Sequence, residues 1–244
     1  MKKILLSFAL AVGLLASAST LQAQVNMSRY ITLTVTNWSA IKLTFKAAAN
    51  GTPVRIVSGS NTRDTTVGIS YTGFASYTAD GTTMTVYGDI TGFECSNNYE
   101  NLTAIDLSHN TELSGLFCSS NQLTSLDLSH NTQLEVLFCS RNHLTTLDLS
   151  SNTQLTELYC YANNFSTQAL DDIYCTLPLR QASDLAVIYP IYSASSSDHA
   201  TVIATNAHNA TDKNWMVKYY QDGTDISTTG SYVCPEPNMS SYII

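Results

Sequence analysis

The chain has 244 residues, 44% of them hydrophobic and 12% charged, which is enough apolar sequence to bury a real core. Its formal charge is −8, and −10 once residues 1–23 are set aside, because those hold two of the 11 Lys and Arg and none of the 19 Asp and Glu. Such an acidic chain lacks the basic patches that nucleic acid and anionic membrane surfaces require, which excludes both as expected partners.

Residues 1–23 open with Lys2 and Lys3, continue through an apolar run from Ile4 to Leu15 and end in small residues, the pattern of a secretory signal peptide. Cleavage is expected after Ala18 or Ala23, with Ala23 preferred. The apolar run is shorter than the ~20 residues of a membrane span. The chain is therefore expected to be exported (secreted, at the cell surface or periplasmic), with no transmembrane segment in the mature form.

Residues 24–88 alternate with period two: Ile31, Leu33, Val35; Ile41, Leu43, Phe45; Val54, Ile56; Met84, Val86. Asn50-Gly51 and Asp80-Gly81 fall between such runs and signal hairpins. This predicts a small β domain of five or six strands, serving as an N-terminal cap on residues 89–165.

Residues 89–165 repeat. "LSGLFCSSNQLTSLDLSHNTQ", "LEVLFCSRNHLTTLDLSSNTQ" and "LTELYCYANNFSTQAL" align with an unbroken period of 21 residues, and Ile90, Phe93, Cys95 and Asn98 place an earlier unit in the same columns. A strand plus a tight return cannot bury its own apolar face, so such units must stack, turning each column into a ladder with rungs about 4.8 Å apart. The pattern L-x-x-L-x-C-x-x-N-x-L-T-x-L-D-L-S-x-N resembles the leucine-rich repeat family, and more narrowly the bacterial internalin-like subtype with a 21-residue period and a cysteine ladder, as in internalin J repeats. The resemblance implies an α+β solenoid with a parallel sheet and a mostly irregular or 3-10 convex side, and protein binding or adhesion at the cell surface.

Residues 166–244 read as a degenerate repeat and C-terminal αβ cap. Leu170, Ile173 and Leu177 lie at helical spacing behind Ser166 or Thr167 as N-cap, and Pro178 ends the helix. "DLAVIYPIY" and "MVKYY" read as strands on either side of a mostly helical segment, and Asp222-Gly223 as a turn.

Cys95, Cys118, Cys139 and Cys160 stand singly, 21 to 23 residues apart, in a column that otherwise takes leucine, so no metal site is expected. In-register parallel strands hold their Cβ atoms about 4.8 Å apart, beyond the ~3.8 Å a disulfide prefers, so these thiols read as small buried hydrophobes. Cys175 and Cys234 lie outside that column, as a disulfide or as two independent buried thiols. Asn98, Asn121, Asn142 and Asn163 form a second structural ladder expected to bond turn backbone. Asn110, Asn131 and Asn152, with Asp106, Asp127 and Asp148, form a third on the return side.

The residue before each ladder cysteine faces outward, because side chains alternate along a strand. That column reads Glu94, Phe117, Phe138, Tyr159. With Val136, Glu157 and Tyr161 beside it, it makes the expected ligand-binding strip on the concave face. Aromatic neighbours also stabilise a sheet without any ligand, and a cap loop folding over the strip is a third reading. His109 and His130 share a column but read as solvated turn residues. No catalytic signature is present, and no cofactor is expected.

These features describe a non-catalytic, monomeric binding module for a protein or glycan. The alternatives are a structural component of the cell envelope with the repeats as spacer and, remotely, an enzyme with a site in the C-terminal region.

Overall fold

The computed structural model describes residues 24–235; the expected signal peptide and the last nine residues lie outside them. Six strands come first: β1 (Tyr30–Val35), β2 (Ala40–Ala47), β3 (Thr52–Ser58), β4 (Asn61–Val67), β5 (Ala75–Thr78) and β6 (Thr83–Tyr87). The period-two runs dictate them: Ile31, Leu33 and Val35 of β1 are buried while the intervening residues are not. The repeat region adds β7 (Ile90–Glu94), β8 (Leu102–Asp106), β9 (Gly115–Phe117), β10 (Val136–Phe138) and β11 (Glu157–Tyr159). After it come helix α1 (Thr167–Thr176), β12 (Val187–Ile191), the short helices α2 (His199–Ile203) and α3 (His208–Thr211), and β13 (Met216–Tyr219). Helix α1 starts at Ser166, whose hydroxyl accepts from the Ala169 amide.

The strands form two sheets. One has the order β4-β3-β6-β1-β8, the other β13-β12-β11-β10-β9-β7-β2-β5. In the larger sheet the strands from β7 to β13 are parallel, with Gly92, Gly115, Val136 and Glu157 in register, while β2 and β5 are antiparallel.

This corrects the expected fold class. The chain is a β-rich fold of two sheets with few and short helices, not an α+β solenoid. The reason lies in the strand pairing. β2 pairs with β7 and β1 with β8, so the N-terminal strands are the first members of both sheets. One apolar core runs from Ile31 to Ile226 without a break. A second correction concerns the two hairpin signals. Asn50-Gly51 and Asp80-Gly81 close no hairpin, because β2 and β3, like β5 and β6, belong to different sheets. Both turns carry the chain between layers. The tight hairpin forms instead at Gly59-Ser60, where Ser58 pairs with Asn61 and Gly59 takes φ +55°.

The buried amides explain why the repeat keeps its asparagines. Asn142 donates from Nδ2 to the Cys118 and Cys139 carbonyls at 3.0 Å each and accepts from the Leu123 amide at 3.0 Å. Asn121 and Asn163 make equivalent bonds one rung to either side. Asn98 turns to β2, bonding both the amide and the carbonyl of Lys42. One side chain per rung thereby satisfies backbone groups of two turns that no strand ladder reaches. On the return side Asn131 and Asn152 donate to the carbonyl of the Asn one rung before, at 2.8 and 2.9 Å. There Asp106, Asp127 and Asp148 accept from the amides of Ser108, Ser129 and Ser150.

Candidate binding face

Alternation along β9 to β11 sends Leu116, Leu137, Leu158, Cys118, Cys139 and Cys160 inward, where all are buried, and the aromatic before each cysteine outward; Cys95, after β7, is buried in the same column. The thiols are free and their ionisation is suppressed by burial, Cys118 and Cys160 being pushed up to about 12. Cys175 and Cys234 form a disulfide with Cα atoms 5.4 Å apart.

Phe117, Phe138 and Tyr159 form a stack across three strands, with ring centroids 4.7 and 3.7 Å apart. Tyr189 of β12 continues it at 4.6 Å. Tyr220, just past β13, meets Tyr159 and Tyr189 edge-on at 5.8 and 5.7 Å and stacks on Tyr161 at 4.8 Å. Tyr192 closes this end against Tyr161 and Tyr220. At the other end Tyr71, from the loop between β4 and β5, meets Phe117 edge-on at 5.6 Å. The loop is fixed there by Thr72, whose amide bonds the Phe45 carbonyl at 2.9 Å and whose hydroxyl accepts from the Phe45 amide.

Tyr71 explains the glycines of the outer column. Its hydroxyl lies where a Cβ on Gly92 would project, and only 3.0 Å from the Cβ position of Gly115. Val136 and Glu157 occupy the same column once the ring has ended. Tyr71 therefore covers the first two rungs, while Phe117, Phe138 and Tyr159 remain half-exposed.

The strip floors an open cleft of about 380 Å³ walled by Ser96, Ser119, Ser140 and Asn97. Glu94 stands at its start, its carboxyl raised above the usual range by burial. Burial also raises the Tyr159 hydroxyl, with Glu157 adding to the effect. At the far end Arg141 lies over the rings of Tyr161 and Tyr192, at 5.9 and 5.8 Å. Val136 and Glu157 flank the stack, and Tyr161 is buried under Tyr220.

Four contributors were not singled out from sequence: Tyr71, Tyr189, Tyr192 and Tyr220. For Tyr189 a signal existed, since "LAVIYP" fits the columns of "LTELYC" with Ile188 and Tyr189 in place of Leu158 and Tyr159. For Tyr71 the only trace was the Gly92 and Gly115 pair. The histidines do not converge. His109 stacks on Tyr30 at 4.2 Å, and His199 bonds the Tyr219 hydroxyl at 2.9 Å. Among the described residues no three His, Cys, Asp or Glu are grouped to hold a metal, and no helix is long and apolar enough to cross a membrane.

No protein-family model and no curated protein matches the chain. Among solved structures it is similar to the functional domain of InlJ from Listeria monocytogenes, described as including a cysteine ladder. That likeness has 26% identity over 54% of this chain and 30% of the other, at a TM-score of 0.36. It is also similar to an internalin (inlF) from Listeria monocytogenes strain 4b F2365, at 20% identity over 56% of this chain and 49% of the other, with a TM-score of 0.31. The chain thus spans less than half the length of either.

Proposed function

We propose that the chain is an exported, non-catalytic binding module that engages a partner protein through the aromatic strip on the outer face of its larger sheet. The observation that carries this reading is the run from Tyr71 through Phe117, Phe138, Tyr159 and Tyr189 to Tyr220, contiguous across β9 to β12, of which Phe117, Phe138, Tyr159 and Tyr220 line an open cleft. Aromatic rings supply contact area with few torsions to freeze, and a hydrogen-bonded sheet holds them preorganised. Export is supported by the composition of residues 1–23 and by the Cys175–Cys234 disulfide, a bond that oxidising compartments favour.

The test compares wild-type protein with the variant Phe117→Ala, Phe138→Ala, Tyr159→Ala as bait for cell-surface and extracellular proteins. A partner retained by the wild type and released at least tenfold by the triple variant is expected. Equal retention by both, with the fold intact, sinks the reading. If binding then followed residues 26–88 instead, an envelope-assembly role with the repeats as spacer would take its place.

A further inference from the structure

The chemistry of the strip narrows what it can hold, given the binding role proposed for it. Phe117, Phe138, Tyr159 and Tyr189 are packed at interplanar angles of 31°, 17° and 31°, so the faces of the inner rings are taken by their neighbours. Tyr71 meets Phe117 at 87° and Tyr220 meets Tyr189 at 89°, occupying the two ends. At Phe138 and Tyr159, which have a ring on either side, the floor therefore offers ring edges, the electropositive rim of the aromatic quadrupole. A sugar held by stacking needs an open ring face. Peptide side chains and carboxylates do not.

The two ends of the cleft differ in charge, with Glu94 at one and Arg141 at the other. Arg141 is exposed, and its guanidinium forms neither an ion pair nor a hydrogen bond with any described residue; its contacts are the faces of Tyr161 and Tyr192. Its guanidinium N–H donors are therefore unengaged by described residues, and a guanidinium fork takes a carboxylate in two parallel bonds. Beside it opens a second cleft of about 350 Å³, lined also by Ser196, Ser197 and Asp198. Asp198 lines that cleft but makes no ion pair with Arg141, so no described residue neutralises the cation.

We infer that Arg141, positioned by Tyr161 and Tyr192, is an anion subsite at the C-terminal end of the strip. Its occupant is the side-chain carboxylate of an Asp or Glu in an extended segment of the partner protein. Asp198 accepts a backbone N–H or hydroxyl next to that residue. Glu94 sets the polarity, since it repels an acid at the opposite end. The inference rests on the strip being a binding face, and it adds the side-chain class and the direction in which the segment lies.

The experiment uses an array of apolar hexapeptides that each carry one Asp or Glu, their Asn and Gln counterparts, and a panel of sialylated and sulfated glycans. It is probed with wild-type protein, Arg141→Gln, Arg141→Lys and the triple aromatic variant, each checked for an unchanged thermal melt. Wild-type protein is expected to retain acidic peptides about tenfold better than their amides. Arg141→Gln should bring that ratio to one without weakening the amide peptides, and Arg141→Lys should keep part of it. The triple variant should lose both kinds of peptide. Absence of an acid preference, its survival in Arg141→Gln, retention of no peptide, or an Arg141-dependent glycan in place of peptides each overturns the inference. If the acid preference is missing while the triple variant still abolishes binding, the binding face stands and only the anion subsite falls. If the triple variant binds as wild type does, the binding face itself falls.

Discussion

The inner and outer sides of β9, β10 and β11 are built from the same short segments, yet they vary in different ways. Inside, every rung repeats: Leu116, Leu137, Leu158; Cys118, Cys139, Cys160; Asn121, Asn142, Asn163. Each inner residue meets copies of itself above and below, so one solution of shape and hydrogen bonding serves all rungs. Outside, the columns change with position, from Gly115 to Val136 to Glu157 and from Ser119 to Ser140 to Tyr161. The changes follow what lies over each rung, Tyr71 at one end and Tyr220 at the other. Periodicity therefore marks the residues that fold the chain, and departures from it mark the residues that meet something else.

The largest effect that tests this contrast is expected inside. Asn142→Ala leaves the Cys118 and Cys139 carbonyls and the Leu123 amide without the side chain that bonds them, and should destabilise the chain by about 3 kcal/mol in urea unfolding. Phe138→Ala, on the half-exposed outer side, removes two ring contacts and should cost about 1 kcal/mol in the same measurement. Reversed magnitudes would show that the aromatic stack, rather than the amide ladder, holds the sheet together.

A smaller effect sharpens the position-specific half of the comparison. Gly115→Val sets new atoms against the Tyr71 hydroxyl and is expected to lower stability by about 1 kcal/mol, with most of the loss recovered in the Tyr71→Ala background. Additive losses in that double-mutant cycle would mean that the glycine column is not fitted to Tyr71.

The smallest effect is on pH dependence. Asp106 and Asp127 lie below the usual carboxylate range, held there by hydrogen bonds from Ser108 and Ser129. Their contribution is present above the ordinary carboxylate pKa near 4 and is lost as the pH falls through the folded value. Glu94 works in the opposite sense. Burial raises it, so its contribution is present at low pH and is lost as the pH rises through its folded value. Melts between pH 7 and 3 should show a shallower acid loss in Asp106→Ala, Asp127→Ala and a steeper one in Glu94→Gln; unchanged slopes would count against these assignments.

What the sequence made legible follows the same division. The 21-residue period located β9, β10 and β11, the asparagine bonds and the outward aromatics, because a repeated local solution leaves a repeated local pattern. Helix α1 was legible from Ser166, Leu170 and Ile173 for the same local reason. The two-sheet architecture was not. Whether Asn50-Gly51 closes a hairpin or carries the chain to another sheet is decided by the pairing of β2 with β7, more than 40 residues on, and the turn residues are alike in both cases. Tyr71 stayed hidden because a loop residue reaches the strip through tertiary packing, which imposes no spacing on the chain.

The central claim is that the outer aromatic strip binds a partner while the inner ladder only folds the chain. The most direct measurement is the affinity of a captured surface or extracellular protein for wild-type protein and for the Phe117→Ala, Phe138→Ala, Tyr159→Ala variant, with the urea midpoint of each recorded alongside. The account predicts at least a tenfold loss of affinity with the variant still folded. An unchanged affinity in a folded variant would contradict it.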